Sequence, residues 1–257
     1  MSRLVFITGA SSGIGQALAL RFFHAGYRLA LVARRTAEVQ AWASAQSIPV
    51  DSYRIYSADV SEIDSIVAAG QACIAAQGAP DVVIANAGIS IGMDSAIRED
   101  LDVMRLTFAT NNIGVAATFH PFINDMTKRG SGALVGIGSV AGIRGLPGHG
   151  AYCGSKAAVI AYCESLRGEL KSAGVDVVTI CPGYIDTPLT QQNSYSMPFL
   201  MQPEDFADKA FAAIQAGSSY SVIPWQMGVV ARMLRLLPNA LFDKLLSGRA
   251  RKKRKSG

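Results

Sequence analysis

Residues Leu4-Val5-Phe6-Ile7-Thr8-Gly9-Ala10-Ser11-Ser12-Gly13-Ile14-Gly15 run straight into Gln16-Ala17-Leu18-Ala19-Leu20-Arg21-Phe22-Phe23. The first four are a short apolar run of β type, the last eight a helical run, and TGASSGIG from Thr8 to Gly15 joins them. Strand, glycine turn and helix in that order make a dinucleotide phosphate site. Glycines let the backbone turn tightly and approach a pyrophosphate, and the positive helix end attracts its charge. Glycines 9, 13 and 15 do not have the G-x-G-x-x-G spacing, so in isolation the segment reads better as an ordinary glycine turn before a helix.

Outward from this point, short apolar runs alternate with helical ones. Strands are predicted near 3–8, 28–33, 53–57, 81–85, 132–138, 175–181 and 220–223. Helices are predicted near 14–25, 36–46, 61–77, 97–129, 151–173 and 203–216. The strands do not alternate apolar with polar, as expected when helices cover both sheet faces. The pattern predicts an α/β fold, a doubly wound parallel sheet of about seven strands. Its ligands bind beyond the carboxyl ends of the strands, at the topological switch point. The glycine loop, Asp59, Asn86, Ser139 and Pro182 all fall just after predicted strands.

A second constellation lies downstream. Tyr152 and Lys156 are four residues apart, one helical turn, and Ser139 precedes Tyr152 by thirteen. An ammonium beside a phenol favours the phenolate and draws the tyrosine pKa down toward working pH. Such a tyrosine exchanges a proton with an alcohol or carbonyl, and a serine holds the same oxygen. Alone, the Tyr–Lys pair also fits a solvated helix face.

Together these patterns resemble the short-chain dehydrogenase/reductase family, with its TGxxxGxG loop and Ser…YxxxK site. Asn86-Ala87-Gly88 matches its NAG segment; Asn111, three before Gly114, matches its active-site asparagine; and Pro182-Gly183 through Thr187 matches its PG…T segment. The five motifs span residues 3 to about 190 in the right order. The resemblance implies Asn111, Ser139, Tyr152 and Lys156 as catalytic residues. Lys156 would also hold the nicotinamide ribose, and Asn111 a water that links Lys156 to solvent. It implies cofactor contacts from Gly9, Ser11, Ser12, Gly13, Ile14, Gly15, Asp59, Val60, Asn86, Ala87, Gly88, Tyr152, Lys156, Pro182, Gly183, Ile185 and Thr187. Asp59 would meet the adenine amino group or, alternatively, cap the next helix, for which Ser61 is the better candidate. Where the family often has a first serine after the fifth strand, this chain has Gly138. Tyr162 has no lysine four residues on and reads as packing.

The end of the second strand bears on the cofactor. An acid there binds a ribose 2′-hydroxyl and repels a 2′-phosphate; arginine does the reverse. The sequence Leu29-Ala30-Leu31-Val32-Ala33-Arg34-Arg35 has no acid before Glu38. NADP(H) is therefore expected over NAD(H), with Arg34 as leading ligand, then Arg35, and Ser11 helping. Two arginines in a solvated turn are the plainer reading of the pair.

At 257 residues, half of them hydrophobic, the chain suffices for one large domain. No long uncharged apolar run predicts a membrane-spanning helix, and the first strand begins too early for a signal peptide to precede it. Cys73, Cys153, Cys163 and Cys181 are scattered without CxxC spacing, and the three histidines do not cluster. They read as reduced thiols of a cytoplasmic protein with no metal site. The net charge of +5 is concentrated in Arg249 to Lys255, RARKKRK, so nucleic-acid binding has little support from the body.

The organisation expected is one domain over 1–224 carrying the active site, a helical extension over 225–247 belonging to it, and a basic, disordered tail over 248–257. Residues 188–202 read equally as a lid over an apolar substrate or a core-packing loop. Arg144 and His149 are solvated loop residues or substrate contacts, with the first preferred. Pro238 divides 225–247 into two apolar, basic helices. They form a flap over the cleft or against another subunit or, less favoured, a membrane-surface anchor. The family usually forms oligomers through its long helices, here 97–129 and 151–173, and a homodimer is expected. The function expected is interconversion of an apolar ketone or aldehyde with its alcohol. Two alternatives are a non-catalytic cofactor-sensing regulator, which would not need the proton relay, and an epimerase or dehydratase, whose relatives carry larger carboxyl-terminal domains.

Overall fold

The structure is a computed structural model that describes residues 2–193, 196–248, 252 and 254. Seven strands alternate with helices along the chain: β1 (Leu4–Thr8), α1 (Gly13–His24), β2 (Arg28–Ala33), α2 (Thr36–Ala45), β3 (Tyr53–Ser57), α3 (Ile63–Gln77) and β4 (Val82–Ala85). They continue as α4 (Asp100–Phe108), α5 (Gly114–Arg129), β5 (Ala133–Ile137), α6 (Gly150–Leu170), β6 (Asp176–Pro182), α7 (Pro203–Gln215), β7 (Tyr220–Ile223), α8 (Trp225–Leu236) and α9 (Asn239–Leu246). All strand pairs are parallel, in the order β3-β2-β1-β4-β5-β6-β7. The expected doubly wound sheet is the fold observed.

Side-chain alternation along the strands splits the core into two layers. Val5 and Ile7 of β1 face Leu18, Phe22 and Phe206 on one side of the sheet. Leu4 and Phe6 face Ile66, Phe119 and Phe122 on the other, and all ten side chains are essentially inaccessible. With both faces covered, each strand is apolar throughout, which is why no period of two is visible in the sequence.

The switch point lies between β1 and β4, where the chain order reverses. There the Thr8 hydroxyl accepts hydrogen bonds from the Asn86 and Ala87 amides at 3.1 and 3.2 Å. The Asn86 side-chain amide donates to the Thr8 carbonyl at 3.0 Å. One buried threonine thus fastens the glycine loop to the loop after β4.

Two local expectations need correction. The single helix expected over 97–129 is interrupted by a π-helical turn, Ala109–Ile113, between α4 and α5. A wide turn of this kind rotates a residue inward, a feature frequent at functional sites; here it is Asn111, fully buried. Ser61 does not cap α3. Glu62 stands at the cap position, and the Ser61 amide and hydroxyl instead donate to Asp59 Oδ1 at 3.0 and 2.7 Å. The carboxylate captures the serine in its own turn, so that hydroxyl is lost to the helix.

The extension over 225–247 divides at Pro238 as expected, into α8 and α9. Much of the tail lies outside the described residues, but Lys252 and Arg254 are placed against the body. Lys252 donates to Asn193 at 3.1 Å, and Arg254 forms two bonds to Asp100 at 2.6 and 3.0 Å. Among the described residues, no helix is long and apolar enough to cross a membrane.

Candidate active site

The carboxyl ends of the strands open into a cleft of about 450 Å³. Its walls carry Gly9, Ser11, Ser12, Gly13, Ile14, Arg34, Arg35, Asp59, Val60, Asn86, Ala87, Gly88, Ser139, Tyr152, Lys156, Pro182, Gly183, Ile185 and Thr187. Of the site residues read from the sequence, Gly15 and Asn111 do not line it. Both sit behind the wall and shape it. Ile89, Ile91 and Leu106 also line the cleft and were not singled out from the sequence; the signal for the two isoleucines was the short apolar stretch following the NAG segment, and Leu106 on α4 had none.

The glycine loop is shaped by contact as well as by dihedral. Gly9 has φ +71, and a Cβ there would lie 2.8 Å from the Ala87 Cα. A Cβ on Gly15 would lie 2.1 Å from the Gly9 carbonyl oxygen, so α1 starts against the loop only because position 15 has no side chain. Ser12, at the N-cap of α1, makes no side-chain capping bond. The first amides of α1 therefore face the cleft without a capping side chain, an arrangement suited to a phosphate. The residues present fit a dinucleotide.

At the far rim, Arg34 pairs with Asp59 at 3.3 Å, while Arg35 reaches the Ser11 hydroxyl at 3.4 Å and Glu38 at 3.2 Å. Burial disfavours the Asp59 carboxylate, but hydrogen bonds from Ser61 and the Arg34 charge outweigh it and hold its pKa below the usual range.

Strand β5 delivers the other wall. Gly138 follows it in the position where the family often has serine. A Cβ there would stand 2.9 Å from Cys181 Sγ and 3.4 Å from Ile160 Cγ1, so the larger neighbours account for the glycine. Ser139 then caps a short 3₁₀ turn, Val140–Gly142, by accepting from the Ala141 amide at 3.1 Å. A Cβ on Gly142 would lie 2.7 Å from the Lys156 carbonyl carbon. The turn thus rests directly on the backbone of α6, which sets the Ser139 hydroxyl against the Tyr152 phenol.

Tyr152 and Lys156 line the same cleft from α6 as expected, but their electrostatics differ from the sequence reading. Burial raises the Tyr152 pKa, and the opposing influence comes from Ser139 rather than from Lys156. Lys156 is 4% exposed and donates to the Ile137 carbonyl at 2.8 Å. Burial draws its pKa down to about 8. The lysine is held by the end of β5, so its charge is not spent on the phenol.

Asn111 joins three elements. Its Oδ1 accepts from the Ile89 amide at 2.8 Å, and its Nδ2 donates to the Ile89 carbonyl at 2.8 Å and to Ser155 Oγ at 3.0 Å. A Cβ on Gly88 would meet Asn111 Oδ1 at 3.2 Å and Lys156 Nζ at 3.5 Å. The missing side chain lets both polar groups approach the same point of backbone.

The loop after β6 closes the cleft from above. A Cβ on Gly13 would lie 3.0 Å from the Thr187 methyl, so the PG…T segment leans on the glycine loop. Thr187 also sits in a tight turn with Thr190, whose hydroxyl donates to its carbonyl at 3.0 Å. In the 188–202 segment Leu189, Phe199 and Leu200 are exposed, while Met201 packs on the core. Tyr195 lies outside the described residues.

Arg144 and His149 are not solvated. His149 is 8% exposed, with Nδ1 against the Pro147 carbonyl at 3.2 Å. Arg144 donates to the Leu234 and Leu237 carbonyls and to Asn239 Oδ1, and stacks on Phe242. It is a clamp on α8 and α9, which only the fold brings near. Tyr162 stacks on Phe119 at 6.4 Å between ring centroids, a packing role as expected. No His, Cys, Asp and Glu cluster suited to a metal occurs among the described residues.

A parallel sheet with a glycine phosphate loop at its switch point and a Ser–Tyr–Lys set beside it defines a nicotinamide-dependent oxidoreductase. The family model described as short chain dehydrogenase matches residues 3–197. A Myxococcus xanthus protein named "Uncharacterized oxidoreductase" is 39% identical, covering 94% of this chain and 95% of its own. A Drosophila melanogaster "Dehydrogenase/reductase SDR family protein 7-like" is 32% identical, covering 96% of this chain and 80% of its own. The structure of levodione reductase superposes with a TM-score of 0.78 at 25% identity, covering 88% of this chain and 98% of the other. The chain belongs to the short-chain dehydrogenase/reductase family of oxidoreductases.

Proposed function

We propose that the protein is an NADP(H)-dependent oxidoreductase that interconverts an apolar ketone or aldehyde and its alcohol. The observation that carries the cofactor preference is the convergence of Arg34, Arg35 and Ser11 on one rim of the cleft, with β2 ending in Ala33 and no acid following it in sequence before Glu38. Two guanidinium groups and a hydroxyl suit a 2′-phosphate. Ser11, Ser12 and the amides at the start of α1 would hold the pyrophosphate, and Asp59 and Val60 the adenine end. Asn86, Ala87, Gly88, Pro182, Gly183, Ile185 and Thr187 would frame the nicotinamide half.

When bound, the nicotinamide supplies or accepts the hydride at the substrate carbon. Tyr152 donates the proton to the carbonyl oxygen in reduction and takes it back in oxidation. Ser139 orients that oxygen by a hydrogen bond, which gains strength as negative charge develops. Lys156 would hold the ribose hydroxyls, and Asn111, behind the cleft wall, would position a water that exchanges protons with it. The apolar lining from Ile89, Ile91, Leu106 and Leu189 favours an apolar carbonyl compound. Exposed Leu101 and Met104 on α4 suit a homodimer. Four buried, unpaired cysteines suit a reducing compartment such as the cytoplasm.

Titration of NADPH and NADH by fluorescence, on wild type and Arg34→Ala, tests the reading. Tighter NADPH binding that the substitution weakens by about tenfold or more, one charge-assisted contact, is expected. Equal or tighter NADH binding would overturn the cofactor assignment.

A further inference from the structure

We propose that α8 and α9 form a docking face for an anionic lipid bilayer. The argument begins with how α8 packs. A Cβ on Gly228 would lie 3.1 Å from the Val222 Cβ, so the helix backbone lies close over β7 and admits only small residues there. Gly228 and Ala231, with Met227, form the buried face of α8. Several of the larger apolar side chains are turned outward instead: Trp225 is 70% exposed, Met233 65% and Leu236 83%. Val229 lies between them on the same stripe, and Leu241 and Leu245 continue the exposure on α9.

A helix that only covered a cleft would turn its large apolar residues inward. This one does the opposite. Soluble monomers rarely expose a contiguous apolar patch of this kind unless something covers it.

Charge identifies the occupant. From Trp225 to Gly257 the sequence contains nine of the chain's 24 basic residues and one of its 19 acidic ones, so the remaining body is net acidic; Arg232, Arg235 and Lys244 lie on the two helices themselves, while Lys252 and Arg254 rest against the body. Arg232 and Arg235 are exposed on α8. Apolar side chains with a tryptophan, bordered by arginines, suit the headgroup boundary of a bilayer, where apolar insertion and attraction to anionic lipid act together. A second copy of this chain on the same face would oppose like charges across a two-fold axis.

The test uses the full chain with vesicles of phosphatidylcholine alone and of phosphatidylcholine with phosphatidylserine, read by co-sedimentation and tryptophan emission. Wild type is expected to sediment with the anionic vesicles, with a blue shift that Trp225→Phe removes. Met233→Asp/Leu236→Asp and Arg232→Gln/Arg235→Gln are each expected to weaken binding by about tenfold or more, losing insertion and lipid attraction respectively. All four residues are solvent-facing, so unchanged melting temperatures are expected. Three results would each overturn the proposal: wild type that stays in the supernatant, binding to both vesicle types alike, or variants that bind as wild type does. Concentration-dependent self-association that Met233→Asp/Leu236→Asp abolishes, without vesicle binding, would assign the face to a second copy instead.

Discussion

The Arg144 guanidinium lies 3.7 Å from the centroid of the Phe242 ring. The same group donates to the carbonyls of Leu234 and Leu237 at the carboxyl end of α8. One side chain from the loop after Ser139 thus joins the carboxyl-terminal extension to the active-site wall. Arg144→Ala is expected to destabilise the protein by roughly 1–3 kcal/mol, from the lost cation–π contact and charge-assisted bonds. A lowered urea midpoint and faster amide exchange across α8 and α9 would show it. An unchanged midpoint would mean that the clamp contributes nothing.

Gly138 tests the account of the substituted serine. Gly138→Ser places a side chain against Cys181 and Ile160. Overpacking of this kind costs about 1–3 kcal/mol. Adding Cys181→Ala, which vacates the contact, should recover much of that loss. Additive destabilisation in the double variant would contradict the steric explanation.

Tyr152→Phe removes only the hydroxyl from a half-buried ring. Turnover is expected to fall by about a hundredfold or more, the scale of a positioned acid or base. NADPH affinity should stay within a few-fold, as the ring remains. If turnover persists, the proton comes from another group.

Lys156 makes a stability prediction with a defined sign. Its folded pKa of about 8 lies below the ordinary lysine value, because burial penalises the charge. Below pH 8 both states are protonated, and the folded state bears the full penalty. As pH rises from about 8 toward the unfolded value near 10.4, the folded lysine is already neutral while the unfolded chain still holds its proton, and the penalty lifts. Lys156→Met is thus expected to be inactive yet more stable at pH 7, by roughly 2 kcal/mol after allowing for the lost bond to Ile137. That advantage should shrink by pH 10. Denaturant melts of both proteins at the two pH values decide it; an advantage that grows with pH would contradict the assignment.

The seven strands and their order of appearance were legible in the sequence because each is an uninterrupted apolar run bounded by turn residues. The motif residues were legible because backbone contacts admit so few alternatives; Gly15, 2.1 Å from a carbonyl once a Cβ is added, is the clearest case. Local sequence therefore determined the doubly wound fold, the family and the motif residues around the cleft, though not Ile89, Ile91 and Leu106 in its lining. It did not determine what depends on distant partners. The π turn that buries Asn111 is held by Ser155 on α6 and by the loop at Ile89. The Lys156 ammonium points to Ile137, nineteen residues away. Arg144 bonds across more than ninety residues to the end of α8, and the outward stripe of α8 follows from Val222 meeting Gly228. Burial and orientation depend on which distant surfaces meet, and only the tertiary structure brings those surfaces together.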